Sequence, residues 1–226
     1  MKTLLSSLFI ASTIIAGAAP PPVGSISKNV SFAVRDGDGF QRADLNAYQG
    51  KILILMMMTP WCPICQSHAS AVGDGILDHF NSPSRKRLRG KNANGIPIES
   101  ILLSTEEAVQ WDDVNRLFAP QNGFKNWGLD AKTDRTRPRT LLGYFRGGFI
   151  NSNDLYDWGD DRRRVVVISL IKDSISHQYR QIVINQNTFS SRDAAAARTA
   201  INAIKPPRPP APTPFGTTVS ALPARE

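Results

Sequence analysis

Both cysteines of the 226-residue chain lie in the stretch Thr59-Pro60-Trp61-Cys62-Pro63-Ile64-Cys65, directly after the apolar run Lys51-Ile-Leu-Ile-Leu-Met-Met-Met58. A run of that length without polar alternation reads as a strand buried on both faces. Pro63 suits a first helical turn, since it has no N–H to lose and its φ is already helical, so a helix is expected to begin at about Cys62. The first thiol then sits at a helix N-terminus, where unpaired N–H groups and the helix dipole stabilise a thiolate. The two-residue spacing fits a dithiol that exchanges with disulfides, or half of a metal site. Spacing alone leaves the two open.

Trp61-Cys62-Pro63-Ile64-Cys65 after a hydrophobic strand resembles the active site of the thioredoxin superfamily. The likeness extends upstream through Phe32-Ala-Val-Arg-Asp-Gly-Asp-Gly39, Leu45 and Tyr48-Gln-Gly-Lys51, which is similar to the lead-in of TlpA-like thiol-disulfide oxidoreductases and related redoxins. It covers residues 29–70 well and the remainder by element order only. The resemblance implies an α/β thioredoxin-like fold: a central mixed sheet flanked by helices, with an N-terminal hairpin and a mid-chain insertion. It implies Cys62 as attacking thiol and Cys65 as resolving thiol, with no cofactor. Trp61 and Pro63 come with the motif as assisting residues.

The N-terminus has three parts: Lys2, the apolar stretch Thr3-Leu-Leu-Ser-Ser-Leu-Phe-Ile-Ala-Ser-Thr-Ile-Ile15, and Ala16-Gly-Ala18 as a small-residue cleavage site. This is the pattern of a secretory signal peptide over residues 1–18, with membrane contact expected only if it stays uncleaved. Export changes the meaning of the cysteines, because thiols outside the cytosol are normally oxidised. A bridge closing so short a loop removes little unfolded-state entropy, whereas an exchangeable disulfide has a use there.

Metal binding is the competing reading. Two thiolates are half of a tetrahedral zinc set, and the histidines are only His68, His79 and His177. Met56, Met57 and Met58 are soft copper ligands, but consecutive strand residues alternate faces, so the expectation is core packing and no metal site.

Loss of residues 1–18 lowers the net charge from +8 to +7. The positive charge clusters at Arg85-Lys86-Arg87, at Arg135, Arg137 and Arg139, and at Arg162-Arg163-Arg164. Beside Gly, Pro, Ser and Asp these read as solvated loops, and without interleaved aromatics they do not form a nucleic-acid stacking platform.

The chain expected after export is one domain over 25–205. Asp36-Gly37 or Asp38-Gly39 marks the turn of a hairpin. The active-site helix runs from Cys62 to about Phe80 with a kink near Gly73 and Gly75. Ile96–Ser104 is a second strand, followed by a helix capped by Ser104 or Thr105 and running to Phe118. Residues 119–163 form an insertion with some strand in it. Arg164–Ile171 and Tyr179–Asn185 form an antiparallel hairpin turning at Asp173 to His177. Ser190 or Ser191 caps a last helix to Ile204. Residues 206–226 are a Pro-rich disordered tail.

The chain departs from the family at three places. Thioredoxin folds carry a proline before the strand that faces the cysteines; here Arg163, Arg164 or Val165 takes that place if the strand is 164–171, and Pro138 takes it if the strand lies in the stretch from Arg139 to Gly148. Met56 stands where many thioredoxins have a buried carboxylate. His68 stands where some TlpA-like proteins have a glutamate; the default reading is a packed or surface histidine, and because it lies on the same helix face as Cys65 it is also a candidate proton acceptor for that thiol. The expected function is exported thiol-disulfide exchange with client proteins and a redox partner protein. The alternative is a redox-inert or metal-handling binding module of the same fold, with a peroxidase as a third choice.

Overall fold

The computed structural model describes residues 19–82, 84, 88–105, 112–130, 144–145, 163–172 and 178–207. The expected signal peptide, most of the basic clusters, Pro138, the turn at 173–177 and the tail beyond 207 lie outside them.

Among the described residues, seven strands form one sheet in the order β2-β1-β5-β4-β3-β6-β7. β1 (Ser31–Asp36) and β2 (Gly39–Asp44) are the expected hairpin, closed by the Asp36–Gly39 pair. A single 3₁₀ turn, Leu45–Tyr48, capped by the Asp44 carboxylate on the amides of Asn46 and Ala47, leads into β3 (Ile52–Met58).

All seven side chains of β3 are buried, and their alternation divides the core. Ile52, Ile54, Met56 and Met58 face one side, where they pack with Ala69, Val72, Ile76, Ala194, Ala197 and Ile201. Leu53, Leu55 and Met57 face the other, with Phe32, Val34, Leu45 and Phe145. The three methionines are therefore core on both faces.

β3 pairs in parallel with β4 (Ile98–Ser104) and antiparallel with β6 (Arg164–Ser169), which in turn pairs antiparallel with β7 (Gln181–Gln186). With α1 (Pro63–Val72) after β3 and α4 (Ser191–Ala203) after β7, this is the thioredoxin-like arrangement that the resemblance implies. Asp193 accepts from the Ser190 backbone N–H and hydroxyl at the start of α4, at 2.8 and 2.7 Å.

The active-site helix does continue past α1. One widened π turn, Gly73–Leu77, precedes α2 (Asp78–Asn81), so the irregularity sits at the two glycines. A side chain at Gly73 would stand 2.5 Å from the Asn122 carbonyl oxygen. Arg198 Nη1 donates to the Gly75 carbonyl at 2.6 Å, satisfying an acceptor in the widened turn.

Ser104 is the last residue of β4, paired with Leu129; the residues after Thr105 that would start the expected helix lie outside the described ones, and α3, described over Asp112–Gln121, carries Pro120 and runs past the expected end at Phe118. Residues 126–129 supply strand within 119–163, as expected. They form β5 (Asn126–Leu129), which fills the sheet between β4 and β1.

Candidate active site

The site is built where β3 ends. Thr105 N–H donates to the Met58 carbonyl at 2.9 Å, extending the β3–β4 pairing by one bond, and the Thr59 and Thr105 hydroxyls lie 3.1 Å apart. The chain then turns, with Cys62 N–H donating to the Thr59 carbonyl at 3.1 Å. Gln66 Nε2 fastens this turn to the helix through the Pro60 carbonyl at 2.6 Å.

Cys62 is the N-cap of α1, in extended conformation, and Pro63 is the first helical residue. The Cys62 sulfur accepts the Cys65 backbone N–H at 3.4 Å. A helix-terminal donor is thus already aimed at the sulfur, and such a bond strengthens when the acceptor is charged. Cys62 is half-buried and Cys65 fully buried. Trp61 and Ile64 on either side of Cys62 are 45 % and 56 % exposed, an apolar rim around the accessible sulfur.

Burial pushes the Cys65 thiol up to about 12, helped by its hydrogen bond to Cys62, against smaller opposing influences from the Thr59 backbone and the Arg163 charge. In the folded, reduced protein Cys65 keeps its proton where the unfolded chain, with an ordinary value of 9.0, loses it. Stability tied to this thiol is whole below pH 9 and is lost as pH rises toward 12. The reduced protein should therefore lose about 1 kcal/mol between pH 8 and 10 that the oxidised protein keeps. Urea unfolding of both forms checks this, and equal losses would contradict it.

His68 does not stand alone. Its Nδ1 accepts from Arg163 Nε at 2.7 Å. Burial, followed by the Arg163 charge, lowers its proton affinity, while Asp193 works the other way. The strand lying against β3 on the side away from β4 is β6, so the residue directly before that strand is Arg163. Pro138 lies outside the described residues. Arg163 and Arg164 are not solvated: each is 7 % exposed, and Arg164 Nη1 donates to Asn185 Oδ1 at 2.7 Å. The sequence placed Arg163 among three residues for the position of the proline and gave it no role. Its signal was positional, an arginine immediately before the strand that flanks the one leading into the cysteines.

No protein-family model matches the chain, and no curated protein matches it. Among solved structures it is similar to a candidate protein disulfide isomerase from Bacteroides thetaiotaomicron, with TM-score 0.49 and 17 % identity over 80 % of this chain and 88 % of that one. It is similar to the thioredoxin domain of a thiol-disulfide oxidoreductase from Bacteroides vulgatus, with TM-score 0.45 and 11 % identity over 80 % and 99 %. A yeast mitochondrial 1-Cys peroxiredoxin gives TM-score 0.47 and 17 % identity over 81 % and 76 %. Strand order and strand direction give the chain a thioredoxin-like fold, with Cys62 and Cys65 at the start of the helix that follows its central strand.

Proposed function

We propose that the protein is an exported thiol-disulfide oxidoreductase that exchanges a Cys62–Cys65 disulfide with client proteins. The observation that carries the reading is the asymmetry of the pair: an accessible sulfur at a helix N-cap, in contact with the backbone of a second cysteine that is fully buried. Cys62 attacks or is attacked; Cys65 closes the ring and releases the client. Trp61 and Ile64 form the surface on which an extended client segment lies. Residues 1–18 direct the chain out of the cytoplasm and are removed; among the described residues no helix is long and apolar enough to cross a membrane.

One experiment tests both parts. The full chain carrying Cys65→Ser, expressed in a bacterium and trapped with acid, should be recovered outside the cytoplasm, with its N-terminus near Ala19, joined to client proteins by disulfides that dithiothreitol releases. An intact Met1 in the cytosolic fraction would refute export. Absence of adducts on an exported chain would refute client exchange.

A further inference from the structure

A guanidinium has five N–H donors, no acceptor, and does not lose its proton in proteins. The 2.7 Å contact between Arg163 Nε and His68 Nδ1 therefore has one possible direction, and it fixes the imidazole as neutral with its proton on Nε2. His68 lies one turn beyond Cys65 on α1, and Arg163 immediately precedes β6, whose first residue pairs with Met57 near the end of β3, the strand that leads into the cysteines. A positive charge that is 7 % exposed is thus tied to the helix of the buried cysteine by one specific bond.

Resting on the exchange reading above, we propose that Arg163, clamped by His68, is a positioning residue for the second half of the exchange, in which the Cys65 sulfur attacks the Cys62 mixed disulfide. In that step the Cys65 thiol gives its proton to solvent and its sulfur bonds to the Cys62 sulfur. The bond between Cys62 and the client sulfur breaks, and the client leaves as a thiolate that takes up a proton. The two cysteines lose two electrons, and the client disulfide gains them. Negative charge forms on a sulfur buried to 0 % exposure, and Arg163 is the fixed cation that offsets it. Among the described residues, the charged and titratable groups around the step are Cys62 at the N-cap of α1, Cys65 and His68 on α1, Arg163 before β6, and Asp193 at the start of α4. Two carry charges of opposite sign near His68, and Arg163 is the one that also acts on Cys65. His68 orients the guanidinium and does not take the Cys65 proton.

The test uses reduced full chain mixed rapidly with 5,5′-dithiobis(2-nitrobenzoate). Attack by Cys62 releases one coloured thiolate at a rate proportional to reagent. Attack by Cys65 releases the second at a rate independent of it. Arg163 is the smallest of the influences on Cys65, so the low end of the effect of an opposite charge, about 1 unit, applies, and part of the ionisation lost without it is recovered as higher nucleophilicity, leaving about 3-fold. Arg163→Met should slow the second phase about 3-fold at pH 7 while the first phase stays close to that of the parent. Arg163→Lys, which keeps a charge, should recover most of the rate. His68→Ala should slow the second phase in the parent chain and add nothing in the Arg163→Met chain.

An unchanged second phase in Arg163→Met, a Lys variant as slow as the Met variant, or an undiminished His68→Ala effect in the Arg163→Met chain would each overturn the proposal. If Arg163→Met does not fold, Arg163→Lys and His68→Ala carry the test: a normal second phase in His68→Ala overturns the clamp. A folded parent chain without a first phase would overturn the exchange reading itself.

Discussion

Cys62→Ser should abolish exchange, because the one thiol left cannot replace the one removed. With a value of about 12, Cys65 has only about 10⁻⁵ of its thiol ionised at pH 7, against a few per cent for an ordinary thiol. Its greater intrinsic nucleophilicity recovers part of that deficit, so ionisation alone leaves attack roughly 10²-fold slower than by an ordinary thiol. Full burial removes what remains, because a client sulfur has to reach the Cys65 sulfur in line. The expected result is a turnover of client disulfide indistinguishable from buffer, measured as dithiothreitol-driven reduction of a disulfide-bonded protein. Cys65→Ser differs in kind: the first attack continues and the reaction stops at the adduct. Substantial turnover by Cys62→Ser would mean that the two roles are reversed.

The largest effect on stability is expected at Gly128. This residue lies in β5, between Leu103 of β4 and Val34 of β1, and a Cβ built on it would stand 2.0 Å from the Ala33 carbonyl oxygen. Backbone cannot move aside as a side-chain tip can, so Gly128→Ala has to part β1 from β5. That costs roughly 3 kcal/mol or more, above the usual effect of overpacking because two strand pairings share the strain. For a domain of this size the melting temperature should fall by about 6–12 °C. Thermal unfolding of Gly128→Ala beside Gly39→Ala, a strand position whose Cβ would come no nearer than 4.0 Å to the Asp36 carbonyl oxygen, separates crowding from the general loss of glycine. Equal shifts in the two variants would contradict the crowding at β1–β5.

The central part of the fold was legible because its signals are local. An apolar run followed by Trp-Cys-Pro-Ile-Cys specifies a buried strand, a turn and a proline-started helix within fourteen residues, from Ile52 to Cys65. The hairpin of β1 and β2 is written in Asp-Gly turn chemistry and the start of α4 in a serine cap. What was missed depends on partners far away in sequence. β5 is four residues long and contains a glycine, too short to show alternation, and it is a strand because β1 and β4 on either side of it supply the hydrogen bonds. Arg163 and Arg164 read as surface because neither neighbour in sequence reveals a partner; those partners, His68 and Asn185, are 95 and 21 residues away. A buried arginine is paired by tertiary structure, which composition does not report.

Those two arginines also bear on the chemistry. The family resemblance places a proline beside the cysteines, and this chain has a cation there that is bonded to a residue on the active-site helix. The buried cluster around Cys65 is made of aliphatic, methionine and phenylalanine side chains, and a charge formed on its sulfur is offset by the Thr59 backbone and by Arg163.

The account stands on Cys62 and Cys65 forming one reversible two-electron couple. Equilibration of the mature protein in mixtures of reduced and oxidised glutathione, followed by acid trapping and alkylation, measures this directly. The prediction is a single transition in which both thiols disappear together and return together, tenfold in equilibrium constant for each ~30 mV of potential. Thiols that stay alkylatable at every ratio, or a Cys62 that stops at the glutathione adduct without closing onto Cys65, would contradict it.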